Sequence, residues 1–564
     1  MAACYRYLGA DERFRTIAYE NAARTMDSLK EDVSVYADNV QHLDQLKGIG
    51  ESIAEKIIEY LQTGKIITYD KLLKQVPIEL LELMEVNGMG PSTLKTLHEE
   101  LGIDNREELV LAIEKGKLST LKGFGEKKID NIKRALKLSK EAGNRLMLWD
   151  ALQIGESILE EIKKTKGVIR AELAGSLRRR KETIGDIDII IACALRSRKQ
   201  IIKKFTSLPQ VARIIAAGDT KASVVLKEHN TQVDIRLVDE SEYGSALLYF
   251  TGSKEHNIHL RLMAKDKDWK ISEYGIFNAT SDKRLGGETE KQVYDALGMA
   301  FIPPELREDK GEIEQAQKNA LPKLVEHKDI KGDLQMHSTW SDGAESIETI
   351  ARHVLKNFPQ YEYIVITDHS PTERIAHGLK PEEFKKQFAE IDKVNKSLGK
   401  DFVKKGVEVD ILADGSLDLP DALLKEFDWV TASIHSGFNK DNTERLLKAC
   451  EHRAVHCIGH PSGRLIGKRE AYIIDWQKLF KKAAATGTSI EINAQPERLD
   501  LKDELVHEAI RQGVMITIST DAHNLNQYDF MQLGIDVARR GWCEKDNILN
   551  TRSWKELKKF ASKK

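Results

Sequence analysis

Two aspartates one residue apart, Asp186 and Asp188, open the apolar run DIDIIIA at 186–192. In a β-strand alternate side chains face opposite ways, so both carboxylates share one face while Ile187, Ile189 and Ile191 take the other. Like charges about 6.5 Å apart on a half-buried strand are costly unless something positive sits between them. A third acid, Asp234, stands alone in the apolar run QVDIRLV. If the two strands are neighbours, three carboxylates converge and can hold two divalent ions roughly 3.5–4 Å apart, the arrangement that drives in-line phosphoryl displacement. Upstream, Gly175 and Ser176 follow a strand and open a basic segment with Arg179. Backbone N–H groups, a hydroxyl and a guanidinium in that order suit a triphosphate.

A second set of chemistry-bearing residues lies further on. Ten of the sixteen histidines fall between 330 and 530, and His337, His369, His435, His460 and His523 end strand-like runs. Asp342, Glu408 and Asp521 accompany them. Mixed imidazole and carboxylate donors suit Mn²⁺, Zn²⁺ or Fe²⁺.

The elements that must position these groups divide the chain into regions. Residues 1–145 carry helical periodicity, and one phrase recurs there: LKGIGESIAEKI, VNGMGPSTLKTL and LKGFGEKKIDNI. Each repeat places a Gly-x-Gly turn, at Gly48 and Gly50, Gly88 and Gly90, Gly123 and Gly125, before an amphipathic helix. Such turns leave backbone N–H groups free for a phosphate oxygen. Residues 146–302 are richer in strands, at 168–176, 186–192, 222–228 and 231–239. Residues 303–331 open with Pro-Pro, are highly charged and predict a linker with some helix. From 332 to 564, seven apolar runs with polar C-terminal ends alternate with amphipathic helices, which predicts a (β/α)7 barrel with its site at that face.

At 564 residues the chain is too long for one domain of roughly 100–200 residues. Hydrophobic content of 41% rules out global disorder, and a net charge of −2 means that any nucleic-acid surface is local. Five scattered cysteines with no CxxC pair argue against a disulfide framework or a thiolate zinc site. No run of about 18 apolar residues occurs, which predicts a soluble cytosolic protein.

Gly-Ser, nine residues, then Asp-x-Asp resembles the nucleotidyltransferase superfamily. With LLYFTGSKEHN at 247–257 the resemblance narrows to the family X DNA polymerases, over roughly residues 1–300. It implies a helical region of helix-hairpin-helix repeats that contact DNA through phosphates. It also implies a mixed α/β palm in which Asp186, Asp188 and Asp234 are catalytic and bind Mg²⁺ or Mn²⁺. Gly175, Ser176, Arg179 and Gly185 would hold the triphosphate, Tyr249, Phe250 and Gly252 the sugar, and Asn257 the base edge. Lys254 departs from the animal relatives, which carry an acid there. Lys56 falls where those relatives place a Schiff-base lysine for lyase chemistry; a plain phosphate contact is the other reading.

The histidine barrel resembles the polymerase and histidinol phosphatase (PHP) domain, and the whole chain resembles a bacterial or archaeal family X polymerase carrying one. That implies up to three Mn²⁺ or Zn²⁺ ions in three subsites. His337, Glu408 and Asp521 form the first; Glu408, His435 and His460 the second; Asp342, His369 and His523 the third. The family's first motif is His-x-His, whereas Gln335 stands here in DLQMHS, a weaker donor to borderline metals. The expectation is a multidomain α/β repair polymerase, monomeric, acting on gapped or primer-template DNA with dNTPs. A 3′→5′ exonuclease and an abasic-site endonuclease would reside in the barrel. Two other readings stand beside it. The barrel could be a non-catalytic platform, or the core could act on RNA or small molecules, which the three repeats and the Tyr249-Phe250 pair disfavour.

Overall fold

The computed structural model describes residues 1–564 except 29–32, 38, 47, 86–88, 127, 131, 134, 135, 137–144 and 562–564. The chain forms two compact units, residues 1–143 with 464–471, and residues 144–463 with 472–564.

The first unit is helical among its described residues. Gly50 caps the helix Glu51–Thr63, whose apolar stripe buries Ala54 and Ile57. Gly64 ends it in the left-handed region, as a C-terminal glycine does at no steric cost. Gly90 caps Pro91–Leu101 in the same way, with proline at the first helical position, where its missing N–H costs nothing. Gly48 and Gly123 both turn at φ +86°, matching the first and third repeats, whereas Gly88 lies outside the described residues.

In the second unit a five-stranded sheet runs in the order Val168–Leu173, Asp186–Cys193, Gln232–Val238, Lys221–Leu226, Val211–Ala217. The strand Asp186–Cys193 is exposed only at its first residue, because Ile187 onward is covered on both faces apart from the half-buried Asp188. On the aspartate face Ile190 and Ala192 pack against Tyr243, Ala246 and Leu247 of the helix Tyr243–Thr251. The edge strand Val211–Ala217 was not expected. It is largely exposed, so VARIIAA carries no burial alternation to betray it.

The segment 303–331 corrects the linker reading. Leu306, Ile313, Ala316 and Leu324 share one core with Leu248, Leu260, Tyr294 and Ile302. Two of its charges are internal as well: Arg307 and Glu312 are fully buried. These two pair with Glu290 and His256, both from outside the segment, while most of its other charges are exposed.

The seven expected barrel strands are all present: Gly332–Asp333, Tyr363–Ile366, Val403–Asp410, Trp429–Ser433, Cys457–Ile458, Ser489–Asn493 and Ile516–Ser519. They pair in parallel in sequence order. A bridge between Met336 and Ala522 joins the first run to the last. There the His337 N–H donates to the Ala522 carbonyl at 2.9 Å and the Asp521 N–H to the Gln335 carbonyl at 3.1 Å. Burial on both faces explains why these strands read as continuous apolar runs.

Candidate active sites

The parallel pairing of Asp186–Cys193 with Gln232–Val238 sets Asp188 directly opposite Asp234, and Asp186 opposite Gln232. Three carboxylates thus meet at one sheet end. Gln232 Nε2 donates to Asp234 Oδ2 at 2.8 Å, and the Ser223 hydroxyl donates to the other oxygen. Asp188 has no such relief. Burial, with Asp186 and Asp234 alongside, pushes its pKa up to about 7. Hard oxygen donors gathered around an uncompensated charge fit Mg²⁺ or Mn²⁺.

The expected nucleotide residues surround this point. Gly175 turns at φ +61° so close to Asp188 that a Cβ there would lie 2.4 Å from its carboxylate, so any side chain would be strained and would displace that carboxylate. Ser176 follows on the same short helix, Gly175–Arg178. Arg179 ends it, with Nε donating to Glu308 Oε1 at 3.1 Å and Nη1 to the Thr251 carbonyl. Gly185 packs beside Arg145, which is held by Thr183. Tyr249 and Phe250 meet edge to face at 5.1 Å, and the Arg236 guanidinium covers Phe250 at 4.4 Å. Gly252 lies against Arg179 Nη1, and Asn257 Nδ2 donates to the Tyr249 carbonyl at 2.7 Å. Phosphate-type and sugar-type residues are therefore neighbours.

At the C-terminal end of the barrel, four groups of ligand atoms each converge within 4.8 Å among the described residues. His337, Glu408 and Asp521 form the first expected subsite. Asp342, His369 and His523 form the third, joined by His337. The second differs: His369, not His460, completes the set with Glu408 and His435. His460 sits beside that set, with Nε2 3.0 Å from Glu408 Oε1 and its ring edge-on to His435 at 5.1 Å; its main chain is turned to φ +25° and its N–H donates to Glu491 at 2.6 Å.

The electrostatics of this cluster call for a cation. Burial alone would lower the pKa of His337, yet Asp521 at 2.9 Å holds it up at about 10. Asp410 and Glu408 likewise overcome burial and hold His435 at about 10. His369, stacked on His337 at 4.4 Å, is driven by burial down to about 3. Glu408 stays ionised despite burial with His435 and His460 hydrogen-bonded to it, and Asp521 does so through His337. Protons on two imidazoles thus supply positive charge that divalent ions would replace. Nδ1 of His337, His369 and His460, Oε1 of Glu491 and both amide atoms of Gln335 are buried without a hydrogen-bond partner. These orphaned donors and acceptors fit a polynuclear Mn²⁺ or Zn²⁺ site.

Sequence reasoning missed the residues that orient these ligands. Asp410 accepts from His435 Nδ1, and Glu373 stands 3.9 Å from the same atom. Asn493 Nδ2 donates to Asp521 Oδ2 at 3.0 Å. For Asp410 a signal existed: in GVEVDI it follows Glu408 at the two-residue spacing of Asp186 and Asp188.

In the helical unit, Gly50 and Gly90 sit at helix N-termini with open space in front of them. Gly125 has similarly open surroundings. Lys56 is half-buried, and its ammonium donates to the Ser52 carbonyl at 2.6 Å and hydroxyl at 2.8 Å.

A carboxylate triad on a mixed sheet, in one chain with a parallel barrel whose His, Asp and Glu side chains converge at one end, is the arrangement of a nucleotidyltransferase joined to a second candidate metal centre. Family models agree. The DNA polymerase beta palm matches residues 150–233 and its thumb 246–308. A helix-hairpin-helix domain matches 1–66, and a SAM-like helix-hairpin-helix tandem matches 80–138. The chain is 40% identical over 567 residues to the DNA polymerase/3'-5' exonuclease PolX of Bacillus subtilis, across 100% of this chain and 97% of that relative. It is 25% identical to DNA polymerase lambda of Arabidopsis thaliana, over 54% of this chain and 59% of that relative. For the Rattus norvegicus enzyme the identity is 26%, over 55% and 54% respectively. The chain belongs to the PolX family of DNA polymerases.

Proposed function

We infer that the chain is a DNA polymerase with 3′→5′ exonuclease activity, filling short gaps during DNA repair in the cytoplasm as a monomer. The register of Asp188 against Asp234 carries this reading, because it focuses three carboxylates where a primer 3′-oxygen and an α-phosphate would meet. Divalent ions held by Asp186, Asp188 and Asp234 would lower the pKa of that hydroxyl and offset charge on the leaving pyrophosphate. The protein's own groups do the rest. Ser176, Arg179 and the amides near Gly175 and Gly185 orient the triphosphate. Tyr249, Phe250 and Gly252 form the wall against a 2′-hydroxyl, and Asn257 reads the minor-groove edge. The turns at Gly48–Gly50 and Gly123–Gly125 and the helix N-terminus at Gly90 hold the DNA backbone.

In the barrel, His337, Asp342, His369, Glu408, His435, His460, Asp521 and His523 would hold Mn²⁺ or Zn²⁺ and serve hydrolysis of 3′-terminal phosphodiesters and of abasic sites. Among the described residues, no helix is long and apolar enough to cross a membrane.

The test is a 5′-labelled primer on gapped DNA with Mn²⁺ or Mg²⁺, with and without dNTPs. Extension lost only in Asp188→Ala and shortening lost only in His337→Ala support two independent centres. Extension without shortening under either metal would turn the barrel into a non-catalytic platform, with Gln335 as the reason.

A further inference from the structure

The arginine assigned to the triphosphate is not tied to the palm alone. Glu308 accepts from Arg179 Nε at 3.1 Å and from Arg540 Nη1 at 3.1 Å, and Lys181 Nζ lies 3.9 Å away. Arg540 belongs to the barrel helix Met531–Arg540, 361 residues further along the chain, and the same Nη1 donates to the Arg179 carbonyl at 2.6 Å. Asp503 anchors it from behind, accepting from Nε at 2.9 Å and pairing with Nη2 at 2.6 Å. The Arg540, Arg179 and Glu308 side chains are 4%, 13% and 15% exposed, so these contacts are shielded from water and salt.

We propose that Arg540 is a positioning residue for nucleotide binding, fixing the Arg179 main chain and neutralising Glu308 so that the Arg179 guanidinium can pass to an incoming triphosphate. The proposal rests on the assignment of Arg179 to the triphosphate made above. A buried carboxylate stripped of its partner is costly, so Glu308 can release Arg179 only if other cations stay behind. Arg540, locked by Asp503, is the one whose contact with Glu308 does not depend on the nucleotide. Lys181 is farther away and 39% exposed. Without Arg540, Glu308 would hold Arg179 and compete with the triphosphate. The barrel is thus part of the polymerase's nucleotide pocket as well as a centre of its own.

The experiment measures steady-state dNTP incorporation on gapped DNA by the full chain and by Arg540→Met, Glu308→Gln, the double variant and Arg179→Met, with 3′→5′ shortening of single-stranded DNA alongside. Arg540→Met should raise the dNTP KM about tenfold with a smaller change in kcat, and leave shortening intact. Glu308→Gln alone should lower KM or leave it unchanged, and in the double variant it should restore KM to within about threefold of wild type. That rescue is not expected of a merely structural arginine, and the Glu308→Gln arm stands even if Arg540→Met folds poorly. An unchanged KM in Arg540→Met, or a raised KM that Glu308→Gln does not restore, overturns the proposal. If Arg179→Met itself leaves KM untouched, the assignment of Arg179 fails first; if only Arg179→Met raises KM, that assignment survives and the role of Arg540 falls.

Discussion

Asp188 and Asp234 stand directly opposite each other across a parallel strand pair, and Gly175 leaves no room between its backbone and the Asp188 carboxylate. The fold thus forces acids together with, among the described residues, no cation in ion-pair contact, and Arg236 and Arg179 offset the charge on Asp188 only in part. Such strain persists only where a ligand relieves it. Asp188→Asn removes the repulsion and keeps the shape. Single-turnover primer extension should fall at least about a thousandfold, since a metal ligand worth several kcal/mol is lost. Thermal unfolding without divalent ions should be unchanged or move upward. A parallel loss of stability would mean that the carboxylate serves the fold.

The same strain has a pH signature. The folded Asp188 holds its proton up to about 7, above its ordinary value of 3.8, so between those values the folded state binds more protons than the unfolded one. Stability from this group is present at low pH and is lost as pH rises through about 7. Metal and proton compete for the same oxygens. The Mg²⁺ concentration for half-maximal extension should therefore climb as pH drops from 8 to 6, by up to about tenfold per pH unit below 7. A flat Mg²⁺ requirement over that range would contradict it.

How much of this was legible in the sequence follows from the reach of each signal. Asp186, Asp188 and Asp234 announced themselves because a charge inside an apolar strand breaks a pattern of period two. The barrel ligands did so because each ends a run of a repeating βα unit. Asp410 shares that signal but was hidden behind Glu408, and Asn493 carries no charge to draw attention. The partners of the basic run Arg178 to Lys181 were out of reach. Arg178 forks onto Glu290, Arg180 meets Asp536 at 3.6 Å and Lys181 meets Glu308, all from distant segments. Local periodicity says nothing of such pairings, nor of those that bury Arg307 and Glu312 within 303–331.

Gln335 offers a graded test of the barrel. Its amide oxygen and nitrogen are buried and unpartnered, and the oxygen lies 3.6 Å from where a Cβ on Gly459 would stand, at a strand end. Gln335→His places a stronger donor for borderline metals at this position. Metal retained after dialysis should rise, with apparent Mn²⁺ or Zn²⁺ affinity up by about tenfold, and shortening at limiting metal should rise with it. Greater metal retention without faster shortening would mark the first subsite as structural.

Removal of metal should be visible in stability as well. Ions that bind only the folded barrel stabilise it by about 2.7 kcal/mol at one hundred times their dissociation constant. Chelation should therefore lower the unfolding temperature of the second unit, and Mn²⁺ should restore it. His337→Ala should blunt that response, because His337 contributes to two of the four convergent groups. Equal responses in the variant and the wild type would remove His337 from the ligand set.

The glycines of the first repeat separate fold from DNA contact. Gly48 turns at φ +86°, where a side chain is strained, and a Cβ there would come within 3.2 Å of the Thr25 hydroxyl oxygen. Gly50 has φ −90° and nothing within 4 Å of a Cβ position. Gly48→Ala should therefore cost about 1–2 kcal/mol of stability in the first unit. Gly50→Ala at the helix cap should cost about 0.5 kcal/mol. If the space before Gly50 is where a DNA phosphate approaches the helix N-terminus, Gly50→Ala will still weaken DNA binding severalfold, across all sequences alike. Fluorescence anisotropy at fixed salt, beside thermal unfolding, reads both quantities. Undiminished affinity in Gly50→Ala would move the contact away from this turn and leave its glycines a purely conformational role.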